Sequence, residues 1–145
     1  MAPRRDLSGL RLPGEVKRAI DNTARRCLDP LRHQIERVER ETEIIAGVRV
    51  LPAPGHTPGH LALLLQSEGE QLLNLGDAAV HPLHLEHPEW ENGFDLDPQT
   101  AGAMRRTLLE RAAAENMHVM AFHFPFPSVG RIAARQGAWE WTPGW

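Results

Sequence analysis

Pro54-Gly55-His56-Thr57-Pro58-Gly59-His60 decides how this chain is read. Two histidines four apart would share one face of a helix, the usual layout of a helical zinc site. Here Pro58 and Gly59 stand between them, and both disfavour a helix interior. The segment is therefore expected to be a tight loop between two strands, with the two imidazoles pointing in different directions. His56 sits on the loop, where a ring can reach a metal. His60 opens the next strand and is better placed to support a ligand than to be one. Glycines at 55 and 59 would allow unusual backbone dihedrals close to a bound group.

Downstream, His60–Leu65 is a nearly continuous apolar run, the pattern of a strand buried on both faces. Ser67-Glu68-Gly69-Glu70 reads as a turn, and Gln71–Leu75 returns as a second strand. That hairpin would bring Gly76-Asp77 back beside the His56 loop. An Asp after a strand and a Gly is often only a turn or cap residue, so position is what gives Asp77 weight. His123, in Phe122-His123-Phe124-Pro125-Phe126-Pro127, leaves another short strand around Val119–Phe122. Among apolar neighbours it is either a core histidine with one hydrogen bond or a metal ligand. Taken singly, each of the three is more often a satisfied structural group than a ligand. Residues 78–96 read as irregular. Their His81, His84 and His87, three apart, match no metal motif and read as a solvated polar loop.

The remaining pattern is layered α/β, with strands and helices mixed along one domain. Residues 1–42 form a helical segment, and residues 43–145 carry the strands. A helix is expected over Gly14–Leu28, with Val16, Ile20, Ala24 and Leu28 on one stripe. A second follows Pro30 and runs through Arg40. Glu43–Gly47 and Val48–Leu51 are two short strands. Asp97 caps a helix with Pro98 at its first position, and Ala101, Met104, Leu108, Leu109 and Ala112 form its buried stripe. Strands around Arg131–Ala134 and Ala138–Trp141 close the chain, placing Trp139 and Trp141 on one face.

Bulk properties narrow the classes. With 145 residues, 41% hydrophobic and 24% charged, the composition is that of an ordinary globular domain. No apolar run approaches the roughly 18 residues needed to span a bilayer, so no membrane association is expected. Met1-Ala2-Pro3-Arg4-Arg5-Asp6 has no apolar stretch behind it, so no secretory signal is expected. Cys27 is the sole cysteine, which rules out an internal disulfide and thiolate-rich zinc sites, and a cytoplasmic location is expected. Residues 1–40 hold ten Lys/Arg against six Asp/Glu, and the remainder six against thirteen. The basic excess interleaves with acids and lacks stacking aromatics, so a solvated helix face is favoured over nucleic-acid binding.

Together the 54–60 loop, Gly76-Asp77 after a hairpin and His123 before a Pro-rich turn resemble the last three metal-binding motifs of the metallo-β-lactamase superfamily. The resemblance runs from about Glu43 to Trp141, and its texture is most similar to lactonases and organophosphate hydrolases. It implies the C-terminal half of an αββα sandwich and one or two zinc ions. It further implies that His56 binds the first metal, Asp77 bridges both and acts in catalysis, and His123 binds the second. The family signature His-x-His-x-Asp-His, which supplies further ligands, has no counterpart: no His-x-His occurs in the sequence. The resemblance therefore implies a truncated hydrolase of esters, lactones, amides or phosphoesters acting on a small molecule by metal-activated water. The alternative is a non-catalytic remnant or binding module. Three outcomes are expected: His56, Asp77 and His123 converge, His60 is not a direct ligand, and the isolated chain is weak or inactive. Apolar surface left open on the His60–Leu65 strand would favour a homodimer.

Overall fold

A computed structural model describes Leu7, Ser8, Leu10 and residues 12–145. The start of the expected helical segment, residues 1–6 with 9 and 11, lies outside the described residues. The chain divides into two compact units, residues 1–37 and 38–145.

The first unit holds α1 (Gly14–Leu28), which begins after Pro13 and carries an Arg25–Asp21 ion pair at 2.9 Å. None of its residues is fully buried. The expected second helix does not form: beyond Pro30 there is only a 3-10 turn at Arg32–Gln34, and the chain is irregular up to Thr42. Leu31 and Ile35, which would have made that helix's apolar stripe, are half exposed at 48% and 47%. Without a face to bury, so short a helix has too little propensity to stand alone.

The second unit is a mixed α+β layer. Seven strands lie in sequence order: β1 (Thr42–Ile45), β2 (Val48–Pro52), β3 (Leu61–Ser67), β4 (Glu70–Asn74), β5 (His118–Met120), β6 (Val129–Arg135) and β7 (Ala138–Pro143). Every neighbouring pair is antiparallel except β4–β5. That parallel step requires a crossover, supplied by α2 (Leu83–Glu86) and α3 (Pro98–Ala114). Asp97 caps α3 as expected, its Oδ1 accepting from the Thr100 N–H at 3.0 Å.

Leu51, Ala62, Leu64, Leu73, Val119 and Ile132 form one side of the core, and Leu108, Leu109 and Ala112 of α3 the other. Burial on β3 alternates. Ala62 and Leu64 are enclosed, whereas Leu61 and Leu65 remain 39% and 37% exposed. Composition alone would bury both faces; one is left partly open, as expected for the apolar surface of this run. Apolar composition on both faces shows what a strand tolerates, while cover depends on what packs against each face.

Residues 78–96 are irregular as expected apart from α2, and His81 is exposed, but the segment is not solvated throughout. Arg105, on the inner face of α3, is almost fully buried. It donates from Nε to the Ala78 carbonyl at 2.6 Å, and from Nη1 to those of Pro88 at 2.7 Å and Trp90 at 2.9 Å. One guanidinium thereby ties three points of the segment to the helix. His84, expected in solvent, is buried on α2, where its Nδ1 accepts from the Val80 N–H at 3.3 Å. Burial, reinforced by Arg105, pushes its pKa down to about 4 from the ordinary 6.5.

A neutral buried histidine contributes stability above its ordinary pKa, and that contribution is lost as the pH falls from 6.5 toward about 4. His84→Gln should remove this dependence. In urea titrations at pH 7 and pH 4.5, the parent chain should lose roughly 2 kcal/mol more on acidification than the variant. Equal losses would show that His84 is not held neutral by the fold.

Candidate metal centre

The 54–60 loop is built by its own backbone. The Ala53 N–H donates to the His60 carbonyl at 2.8 Å, and the Thr57 carbonyl accepts from both Gly55 at 3.2 Å and His60 at 3.1 Å. The segment leading into α3 then clamps it, as Leu96 and Asp97 donate their N–H groups to the carbonyls of His56 at 3.1 Å and Gly55 at 3.0 Å. Gly55 has a φ of +136°, and a Cβ there would lie 2.3 Å from the Ala101 Cα, so only glycine fits. Gly59 carries no such demand: its φ is not positive and a Cβ would meet nothing. The unusual dihedral expected at both glycines occurs at the first alone.

His60 joins this loop to the end of β4. Its Nδ1–H donates to the Ala53 carbonyl at 3.0 Å, and its Nε2 accepts from the Asp77 N–H at 2.9 Å. This leaves neither ring nitrogen for a metal. Burial holds its pKa below the ordinary value. Gly76, at φ +54°, sits so close that a Cβ would lie 2.7 Å from His60 Nε2.

The three residues singled out in sequence meet at one place. Asp77 Oδ2 lies 3.5 Å from His56 Nε2, and Asp77 Oδ1 lies 3.2 Å from His123 Nε2. The His56 ring stands nearly perpendicular to that of His60, 75° with centroids 5.7 Å apart, so the two do point differently. The side chains of His56, Asp77 and His123 are 18%, 39% and 48% exposed, so the cluster opens to solvent on the His123 side. His81, His84 and His87 stay out of it. His81 Nδ1 accepts from Leu83 N–H, His84 faces Val80, and His87 stacks on Trp90 at 4.1 Å.

Sequence reasoning missed Asp95. Its carboxylate is buried, and Oδ1 lies 2.9 Å from His56 Nδ1. The hydrogen bond to Asp95, outweighing burial and helped by Asp77, raises the His56 pKa above the ordinary value. No local signal marked Asp95, since Phe94 beside it is itself 55% exposed and its partners, His56 and Arg105, are distant in sequence.

In kind, two imidazole nitrogens flanking one carboxylate suit a borderline cation such as zinc. A ligand histidine whose other nitrogen is held by a carboxylate is the usual partner of such an ion. In number the set is short. Among the described residues no group of three or more His, Cys, Asp or Glu side chains is arranged to hold a single metal ion.

Comparison with known proteins bears on the fold. No family model matches the chain. An N-acyl homoserine lactonase from Bacillus sp. is 38% identical over 86 residues, covering 57% of this chain and 33% of that protein. Among solved structures, AidC, a dizinc quorum-quenching lactonase, superposes with a TM-score of 0.82 at 23% identity, over 91% of this chain and 45% of AidC. The hydrolase AbOPH of the β-lactamase superfamily gives 0.78 at 25% identity, over 96% and 50%. The chain thus spans between a third and a half of the length of these relatives.

His60→Ala should separate support from coordination. Losing the ring strands the Asp77 N–H and the Ala53 carbonyl, so unfolding free energy should drop by about 1–3 kcal/mol in urea denaturation. Retained stability would show that the His60 bridge does not hold the site together.

Proposed function

We propose that this chain, whose fold is that of the metallo-β-lactamase superfamily, is part of a metal-dependent hydrolase in which His56, Asp77 and His123 are metal ligands. The observation behind this reading is that each oxygen of Asp77 faces a different imidazole nitrogen, 3.5 Å and 3.2 Å away. On this reading Asp77 would be shared between two ions, with His56 serving one and His123 the other. One or two bound zinc ions would supply Lewis acidity and a water of lowered pKa. The chain's own part is to hold the ligands. The His60 bridge fixes Asp77 against the loop, and Asp95 fixes the His56 ring.

The substrate class proposed is a small molecule with a hydrolysable ester-type centre: an ester, lactone, amide or phosphoester. A lactone stands first, because the similar proteins are described as lactonases. Each ion would find only two protein ligands here, and a catalytic zinc ordinarily has three. Without a His-x-His-x-Asp-His segment, the 145 residues alone should therefore hold metal weakly and turn over little or no substrate. The shortage of donors also supports a second reading, a remnant without a working metal site. A cytoplasmic location and a homodimer that covers exposed Leu61, Leu65, Ile44 and Ile45 complete the proposal. It is supported by the lone, exposed Cys27 and the open apolar side chains. Among the described residues no helix is long and apolar enough to cross a membrane.

Zinc titration of the purified chain, monitored by competition with a chromogenic chelator, should reveal weak binding that Asp77→Ala reduces by about tenfold or more. Zinc binding absent from the parent chain, or unchanged in Asp77→Ala, favours the remnant. Assays with lactone, aryl ester and phosphotriester substrates should give no turnover above metal-only controls. Turnover that disappears in Asp77→Ala would instead show that these residues suffice for a working centre.

A further inference from the structure

Asp95 and Arg105 are both charged and both nearly sealed from solvent, with side chains 1% exposed. A buried charge is tolerated only when paired and hydrogen-bonded. Arg105 spends Nε and Nη1 on three backbone carbonyls, which leaves Nη2, 3.7 Å from Asp95 Oδ2. That oxygen has no hydrogen bond of its own. The other carboxylate oxygen meets His56 Nδ1 at 2.9 Å. The backbone on either side of this contact is fixed, because Leu96 and Asp97 donate to the carbonyls of His56 and Gly55.

We infer that Asp95, its far oxygen facing the Arg105 guanidinium, is a positioning residue that holds His56 in the tautomer with its proton on Nδ1 and its free lone pair on Nε2, facing Asp77. An ionised carboxylate only accepts, so the nitrogen 2.9 Å from it must donate. The neutral imidazole has one proton, and placing it on Nδ1 leaves Nε2 as the acceptor. Nε2 is the nitrogen 3.5 Å from Asp77 Oδ2. The inference rests on the reading of His56 as a ligand for its functional meaning, but the tautomer itself does not require a metal. A purely structural Asp95 would serve Arg105 and leave the His56 proton free to sit on either nitrogen.

The two ideas are separable by experiment. A long-range proton–nitrogen correlation spectrum of the metal-free, labelled full chain at pH 8.5, with His56 assigned through His56→Gln, should show a protonated Nδ1 and an unprotonated Nε2. A protonated Nε2 in the unaltered chain overturns the inference, whatever any variant does. Asp95→Asn should reverse the tautomer. The amide oxygen would turn toward Arg105, which has only donors, and present its NH2 to His56 Nδ1. An unchanged spectrum in a folded Asp95→Asn chain also overturns the inference, and if that variant does not fold the spectrum of the unaltered chain decides. Arg105→Lys, which keeps the charge, should retain the parent tautomer, and a reversal there would break the link to Arg105's charge. Zinc affinity should fall about 10–100-fold in Asp95→Asn. A parent chain that shows the Nδ1–H tautomer yet binds no zinc overturns the functional reading alone. One that binds zinc as tightly after Asp95→Asn overturns the inference.

Discussion

One imidazole with both nitrogens in use holds the site together. His60 takes the Asp77 N–H on one side and gives its own N–H to the Ala53 carbonyl on the other. The loop that carries His56 and the turn that carries Asp77 leave different strands, and beyond the β3–β4 pairing it is the loop's own His60 ring that spans the distance between them. Gly76 is left no room for a Cβ because the ring already occupies it. The two histidines of one short motif thus divide the work by the state of their nitrogens. His60 has both occupied and is structural, while His56 has one occupied and one directed into the cluster.

The same economy appears in the crossover. Arg105 gathers carbonyls from Ala78, Pro88 and Trp90, and its remaining nitrogen faces the carboxylate that steadies His56. A segment with almost no regular structure is ordered because a buried cation gives its carbonyls a common partner. Breaking that centre would loosen both the wall of the crossover and the acid behind His56.

Most of the frame could be read from sequence. The first helix, the capped third helix, the hairpins around Gly47 and the 67–70 turn, and the closing pair of strands all follow from periodicity and local turn chemistry. The meeting of His56, Asp77 and His123 was expected from the resemblance of their three loops to family motifs, since taken singly each reads as a structural group; the structure brings them together because each follows a strand whose end lies at the same edge of the sheet. What failed were features that depend on distant cover. Segment 31–40 has the spacing of a helix but no surface to bury its apolar side. The His60–Leu65 run looked enclosed on both faces because hydrophobicity cannot report which face is covered. Asp95, Arg105 and His84 escaped notice because a charged or polar residue in a pattern reads as solvated until its long-range partner is known.

The order of the strands also bears on how the molecule is assembled in time. β1 to β4 form an antiparallel meander whose pairings are local, so they close with little loss of chain entropy. The parallel β4–β5 seam joins residues separated by the whole crossover, and its closure must wait for a long loop to be confined. Asp77 lies just beyond one side of that seam and His123 just beyond the other. His56 and Asp77 are therefore brought together by the meander alone. The second imidazole, 46 residues from the carboxylate it meets, depends on closure of that seam, so the cluster is held by one contact within the meander and one across the crossover.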